Sequence, residues 1–142
     1  MNMLIKFVIL GFMALELSNV FFLYFAPGSK LGNAVGVFTA WEKSKEYPMI
    51  HDFVKYLVYW VAGVKLIFIL LLGIIVFYGN LNMQQLSLIA LGLATLTFFW
   101  RLFPLIRKMD KNGQVEPKNY SITLGAMILG LVALFAVAAI IK

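Results

Sequence analysis

Four long apolar runs, separated by polar segments, dominate the hydrophobic pattern of the chain. They cover about residues 4–25, 53–78, 84–106 and 122–141. About 20 consecutive apolar residues form a helix long enough to cross about 30 Å of hydrocarbon. The pattern therefore predicts an all-α integral membrane protein, a four-transmembrane-helix bundle in which residues 1–142 form a single membrane domain.

The polar segments differ in charge, and this difference predicts the orientation. The link at residues 79–83 is short and uncharged, whereas loops 26–52 and 107–121 are charged. In a four-span chain these two loops share one side. That side gathers nine basic residues: Lys30, Lys43, Lys45, Lys55, Arg101, Arg107, Lys108, Lys111 and Lys118. The other side has Lys6 and Lys142. Because short cytoplasmic loops are enriched in Lys and Arg, both charged loops are predicted to be cytoplasmic and both termini outside.

The first charged loop has an apolar pattern of its own. Leu31, Val35, Phe38 and Trp41 recur at helical spacing before the charged segment 42–46. Two interpretations are equally favoured. The segment is either an amphipathic helix lying in the membrane interface or a linker packed on the bundle.

Prolines and small residues refine the predicted helices. Pro48 suits the first turn of the second helix, and Pro104 is predicted to mark the end of the third. Small residues recur at helical spacing on the third span, and others follow on the fourth. Such faces let helix backbones approach closely. They are Ser87, Ala90 and Ala94 on the third span and Ala126 and Gly130 on the fourth.

Composition agrees with a membrane location and excludes several other classes. The chain is 63% hydrophobic and 13% charged, against about 45–50% and about 25% in soluble domains. The net charge of +6 comes from basic residues beside apolar spans, so membrane lipids are the predicted partner and nucleic acid is not. With no cysteine, disulfide scaffolds, Cys-ligated zinc and thiol catalysis are excluded. No cofactor is predicted.

Two charges of opposite sign fall inside the spans. Glu16 lies near the middle of the first span and Lys65 near the middle of the second. A charge at mid-bilayer costs about 2.5–3.5 kcal/mol on insertion scales. Matching depth on consecutive helices therefore predicts a Glu16–Lys65 ion pair. Asn19, three residues after Glu16, shares its helix face.

Further polar residues extend this candidate site. On the second span, His51, Lys55 and Lys65 belong to one helical stripe, which predicts a basic track from the loop to the membrane centre. Arg101 ends the small-residue face of the third span. The predicted ligand-binding or ion-pair set is therefore Glu16, Asn19, Lys65, Lys55, Arg101 and His51.

Each member also has a structural alternative. Glu16–Lys65 is then only a lock between two helices, and Arg101 reaches toward lipid phosphates. His51 is the single histidine, and no metal site is predicted. The acids of the charged loops, including Asp110 and Glu116, are expected to be solvated and loosely paired.

Three functions are compatible with these residues. The first is binding or transport of a small anionic or amphipathic ligand, with protonation of Glu16 coupled to ligand release. The second is a structural or accessory subunit that assembles with itself or with a larger membrane partner. The third is a membrane-embedded transferase with a pocket around His51, Lys55 and Arg101. It ranks last because one histidine, one intramembrane acid and no cysteine supply no catalytic set, so no catalytic residue is predicted.

Two families are similar in architecture alone. The small multidrug resistance exporters carry a membrane glutamate in their first helix, as Glu16 is here, but the long charged first loop and Lys65 depart from that pattern. The membrane-bound glutathione-handling enzymes have four spans, a long cytoplasmic first loop and outside termini. Their helix-two signature is missing, because this chain offers only His51, Asp52 and Lys55. Neither similarity assigns a family.

Overall fold

The computed structural model describes residues 3–140, of which 83% are helical, and no strand occurs among them. Ile141, the predicted end of the fourth span, and Lys142 lie outside the described residues. A 3₁₀ turn at Val35–Val37 lies in the first loop. The helices are α1 Met3–Phe25, α2 Thr39–Ser44, α3 Pro48–Tyr78, α4 Leu81–Leu96, α5 Phe98–Lys111 and α6 Tyr120–Ile140.

Four helical segments are long and apolar enough to cross a membrane: α1, α3, the consecutive α4 and α5, and α6. The all-helical prediction is confirmed at this level. Helix α3 has 31 residues and is about 46 Å long at 1.5 Å per residue. It begins at Pro48, before the predicted start at residue 53, because proline is well tolerated where the first helical N–H has no partner.

The third apolar run is divided into α4 and α5 at Thr97. The Thr97 hydroxyl donates to the Ala94 carbonyl at 2.6 Å, and Trp100 N donates to the Thr97 carbonyl at 3.1 Å. These three-residue bonds tighten the turn. Pro104 lies inside α5, which continues to Lys111, so the prediction that Pro104 ends the helix is wrong. Packing of α5 on α6 offsets the backbone bond that proline cannot make.

The helices pack as two close pairs, α1 with α3 and α4 with α6. Phe12 and Phe135 join the pairs edge to face, with ring centroids 5.2 Å apart. Elsewhere the pairs diverge and leave an apolar cleft of about 550 Å³. The small-residue face of α4 lines this cleft and does not make the close helix contact that the sequence predicts. The face comprises Ser87, Ala90 and Ala94.

The two charged loops pack against each other at one end of the bundle. Phe38 and Val115 form an antiparallel bridge, and Glu116 N donates to the Val37 carbonyl at 2.8 Å. We call residues 26–47 and 112–119 the loop cap. Trp41 is only 6% exposed, whereas Leu31 is 70% exposed. The first loop is therefore a linker packed on the bundle, since its α-helix has only six residues and its tryptophan faces protein.

Candidate functional site

A polar cavity of about 340 Å³ lies between α1, α3, α6 and the loop cap. It starts at the loop cap and extends along α1 to the middle of that helix. Its apolar lining comes mainly from α6. Its polar lining consists of Glu16, Ser18, Asn19, Lys30, Asn33, Lys65, Tyr120 and Thr123.

Glu16 and Lys65 form an ion pair in the wall of this cavity. Lys65 Nζ donates to Glu16 Oε2 at 2.5 Å, because α1 and α3 pack along each other and place the two residues at one depth. The side chains are 21% and 22% exposed respectively. An ammonium group has three N–H donors, and the pair occupies one of them. Lys65 can therefore hydrogen bond to a ligand without first leaving Glu16.

Asn19 anchors the first loop to α1. Its Nδ2 donates to the carbonyls of Gly32 at 2.6 Å and Asn33 at 3.0 Å. Both loop residues have left-handed backbone, with φ of 64° and 54°, which turns these carbonyls toward the helix. A Cβ on Gly32 would lie 1.9 Å from the Phe22 ring, so this position requires glycine. Asn19 thus holds the rim of the cavity in place and also belongs to the cavity lining.

Two contacts between the loops complete that rim. Tyr120 donates its hydroxyl to Asn33 Oδ1 at 2.6 Å. Lys30 Nζ lies 2.5 Å from Glu116 Oε2, with both side chains more than half exposed. The hydrogen bond from Lys30, together with its positive charge, lowers the pKa of Glu116 below its ordinary value. The loop-side rim is therefore made of hydrogen bonds that join the two loops.

His51 lies at the junction of α2 and α3, apart from the polar cavity. Its Nδ1 is 2.8 Å from Ser44 Oγ, and its ring centroid is 4.8 Å from that of Trp41. Its role in the structure is to hold α2 against the start of α3.

Lys55 and Arg101 also do not line the polar cavity. Lys55 Nζ is 3.7 Å from Asp52 Oδ1, one turn away on α3. Arg101 is exposed, and its guanidinium lies 5.3 Å from the Trp100 ring centroid. The predicted basic track therefore does not lead through Lys55 and His51 into the site. The helix break at Thr97 interrupts the small-residue face that the sequence extended to Arg101.

Over residues 3–140, His, Asp and Glu side chains form no group of three that could hold a metal ion.

Asp110 is an important polar residue that the sequence analysis assigned to solvent. Its side chain is 2% exposed. It accepts hydrogen bonds from Asn119 N at 3.0 Å, Ser121 N at 2.9 Å and Ser121 Oγ at 2.5 Å. Ser121 belongs to the first turn of α6 and Asn119 immediately precedes that helix, so Asp110 caps α6 from the end of α5. The sequence signal for this cap was an acidic residue ahead of the fourth apolar run. Asp110 lies too far before that run to be identified as a helix cap from the sequence.

No protein-family model, no curated protein and no solved structure matches this chain in the comparisons made, so the candidate site rests on its own geometry.

Proposed function

We propose that this chain is a multi-pass membrane protein that binds an anionic amphiphile, with the ligand's head group in the polar cavity. The observation that carries the proposal is the position of the Glu16–Lys65 pair. The pair is not sealed between helices but forms part of the wall of a cavity. A purely structural pair would be expected to be enclosed by side chains.

The ammonium donors around the cavity favour an anion. Lys30 and Lys65 both line the cavity, each pairs with one carboxylate, Glu116 and Glu16 respectively, and each keeps further N–H donors. Amide and hydroxyl groups of Asn33, Tyr120 and neighbouring residues add hydrogen-bonding capacity. A volume of about 340 Å³ falls in the range of small-molecule sites, about 300–1,000 Å³. A phosphate or carboxylate head group satisfies these donors.

Retention of lipid by the purified protein tests this proposal. Native mass spectrometry from mild detergent compares phosphatidylglycerol with phosphatidylcholine, and we expect the anionic lipid to be retained about tenfold more. The neutral double variant Glu16→Gln with Lys65→Gln removes both charges of the pair and should lose this preference. Lys55→Gln is the matched control, because it removes a lysine from the same helix outside the cavity. Equal retention of both lipids by the unsubstituted protein, or an unchanged preference for phosphatidylglycerol in the double variant, contradicts the proposal.

Transport is the active form of the same proposal. A proton on Glu16 would end its ionic contact with Lys65 and leave that ammonium to the ligand's anionic group, and loss of the proton would restore the pair and release the ligand. Reconstituted Glu16→Gln protein should then show lipid binding or flux that no longer varies with pH. A pH dependence identical to that of the unsubstituted protein would exclude this coupling.

A structural role is the second candidate, favoured by the direct 2.5 Å contact of the pair between the closely packed α1 and α3. In this role the pair fixes the register of the two helices. The double variant Glu16→Leu with Lys65→Leu should then keep its assembly state and its lipid content, measured by the same spectrometry. Loss of assembly would count against it. The transferase alternative gains no support, since His51, Lys55 and Arg101 contact separate neighbours.

A further inference from the structure

An apolar groove continues from the polar cavity along the line where α1 and α6 diverge. Its volume is about 360 Å³. It is lined by Phe7, Gly11 and Leu15 of α1 and by Gly130, Leu131 and Leu134 of α6. We call this feature the α1–α6 groove.

The groove and the polar cavity are contiguous. Leu15 and Leu131 line both of them. From Leu15 to Phe7 the groove follows α1 over eight residues, about 12 Å at 1.5 Å per residue. One continuous depression therefore has a polar end beside the loop cap and an apolar end beyond mid-helix.

Two glycines make the apolar end open. A Cβ added at Gly11 or at Gly130 would meet no atom within 4 Å. The space beside these two residues is therefore empty, and neither glycine lies at a close contact between two helix backbones.

We propose that the α1–α6 groove holds one acyl chain of an anionic lipid drawn from the surrounding bilayer. This rests on the proposed function, which places the head group of the same lipid in the polar cavity. An acyl chain matches the apolar lining of the groove and can extend along it. Since the groove opens sideways between two membrane-length helices, the chain enters from the bilayer while the head group enters the polar cavity from the loop-cap end.

Filling the groove tests the placement of the chain. The variants Gly11→Leu and Gly130→Leu put a side chain into open space, so both should fold with the helical circular dichroism of the unsubstituted protein. The probes are lysophosphatidylglycerol with a palmitoyl chain and with a hexanoyl chain, quantified by native mass spectrometry. We expect the unsubstituted protein to retain the palmitoyl probe at least about tenfold better. Both glycine variants should lose this preference.

Matched controls come from the same two helices. Ala14→Leu on α1 and Ala126→Leu on α6 add similar volume at exposed positions that do not line the groove. Both should keep the preference for the palmitoyl probe.

The outcomes separate this inference from the proposed function. Glycine variants that bind the palmitoyl probe as well as the controls do would overturn the groove as the chain site and leave the head-group site standing. Failure of the unsubstituted protein to retain either probe would contradict the proposed function itself. A dimer that disappears in Gly11→Leu or Gly130→Leu, without bound lipid, would identify the groove as a contact between copies and overturn the inference.

Discussion

At the residue scale, the Glu16–Lys65 pair links stability to the candidate site. Each charge alone at mid-bilayer costs about 2.5–3.5 kcal/mol on insertion scales. Their 2.5 Å contact offsets much of this cost, and the cavity gives both groups partial access to a polar surface. The pair is therefore tolerated in an apolar bundle because its two members are removed from water together.

The two members of the pair should not be independent in their effect on stability. Replacing one leaves the other as an unpaired charge among apolar side chains, so Lys65→Met should lower the free energy of unfolding by about 3 kcal/mol. The double variant Glu16→Gln with Lys65→Met should lose less than about 1 kcal/mol. Unfolding in detergent, followed by circular dichroism, measures both values. If the losses from Glu16→Gln alone and from Lys65→Met alone add up to the loss from the double variant, the two residues are not energetically coupled.

At the element scale, α6 depends on an acid that belongs to another helix. Asp110 of α5 accepts three hydrogen bonds from residues 119–121. Two of these donors are the backbone N–H groups of Asn119 and Ser121, which would otherwise be orphaned at a helix N-terminus. The contact fixes where α6 begins and how it leaves the loop cap, close to Tyr120 in the rim of the cavity.

Removing this cap should loosen the start of α6. We expect Asp110→Ala to lower the free energy of unfolding by about 1–2 kcal/mol and to speed amide hydrogen exchange at residues 120–123. Glu42→Ala is the control, because Glu42 contacts only the exposed Lys45, three residues away. Unchanged exchange in the Asp110 variant would mean that backbone packing alone holds the first turn of α6.

The contact between the two loops should depend on pH through Glu116. Its pKa lies below the ordinary 4.5 because of Lys30, so its stabilising effect is full above that ordinary value. The effect is lost as pH falls through the lowered pKa of the folded state, where the carboxylate is protonated. Amide protection factors at residues 113–116 should fall on acidification over that window. Lys30→Gln should remove this change, and an identical acid response in the variant would assign it to another group.

At the scale of the whole molecule, the chain forms two helix pairs that are closed at one end by the loop cap. The pairs diverge away from their shared contacts, and both the polar cavity and the α1–α6 groove occupy space that a tighter bundle would fill. Most of the basic residues lie at the loop-cap end, which gives the molecule a strong asymmetry of charge along the axis of the bundle.

This asymmetry predicts the orientation. A reporter that is active only in the cytoplasm should be inactive when fused after Lys142 and active when inserted at Gly113, in the exposed turn of the second charged loop. Each of the two fusions is the expression control for the other. A cytoplasmic signal from the fusion after Lys142 would reverse the assignment of both loops.

The sequence by itself determined the number and approximate extent of the membrane-length helices, because hydrocarbon thickness demands apolar runs of a certain length. It also determined the Glu16–Lys65 contact, because two isolated charges at one depth have few other ways to lower their cost.

Only the tertiary structure decided the rest. The loop cap joins residues as far apart as Lys30 and Glu116, 86 positions along the chain, and local periodicity contains no information on such pairings. Asn19 hydrogen bonds to the first loop because the left-handed backbone at Gly32 and Asn33 places their two carbonyls within its reach. The cavity and the groove exist because α1 and α6 diverge, and the angle between two helices depends on how all their side chains pack together.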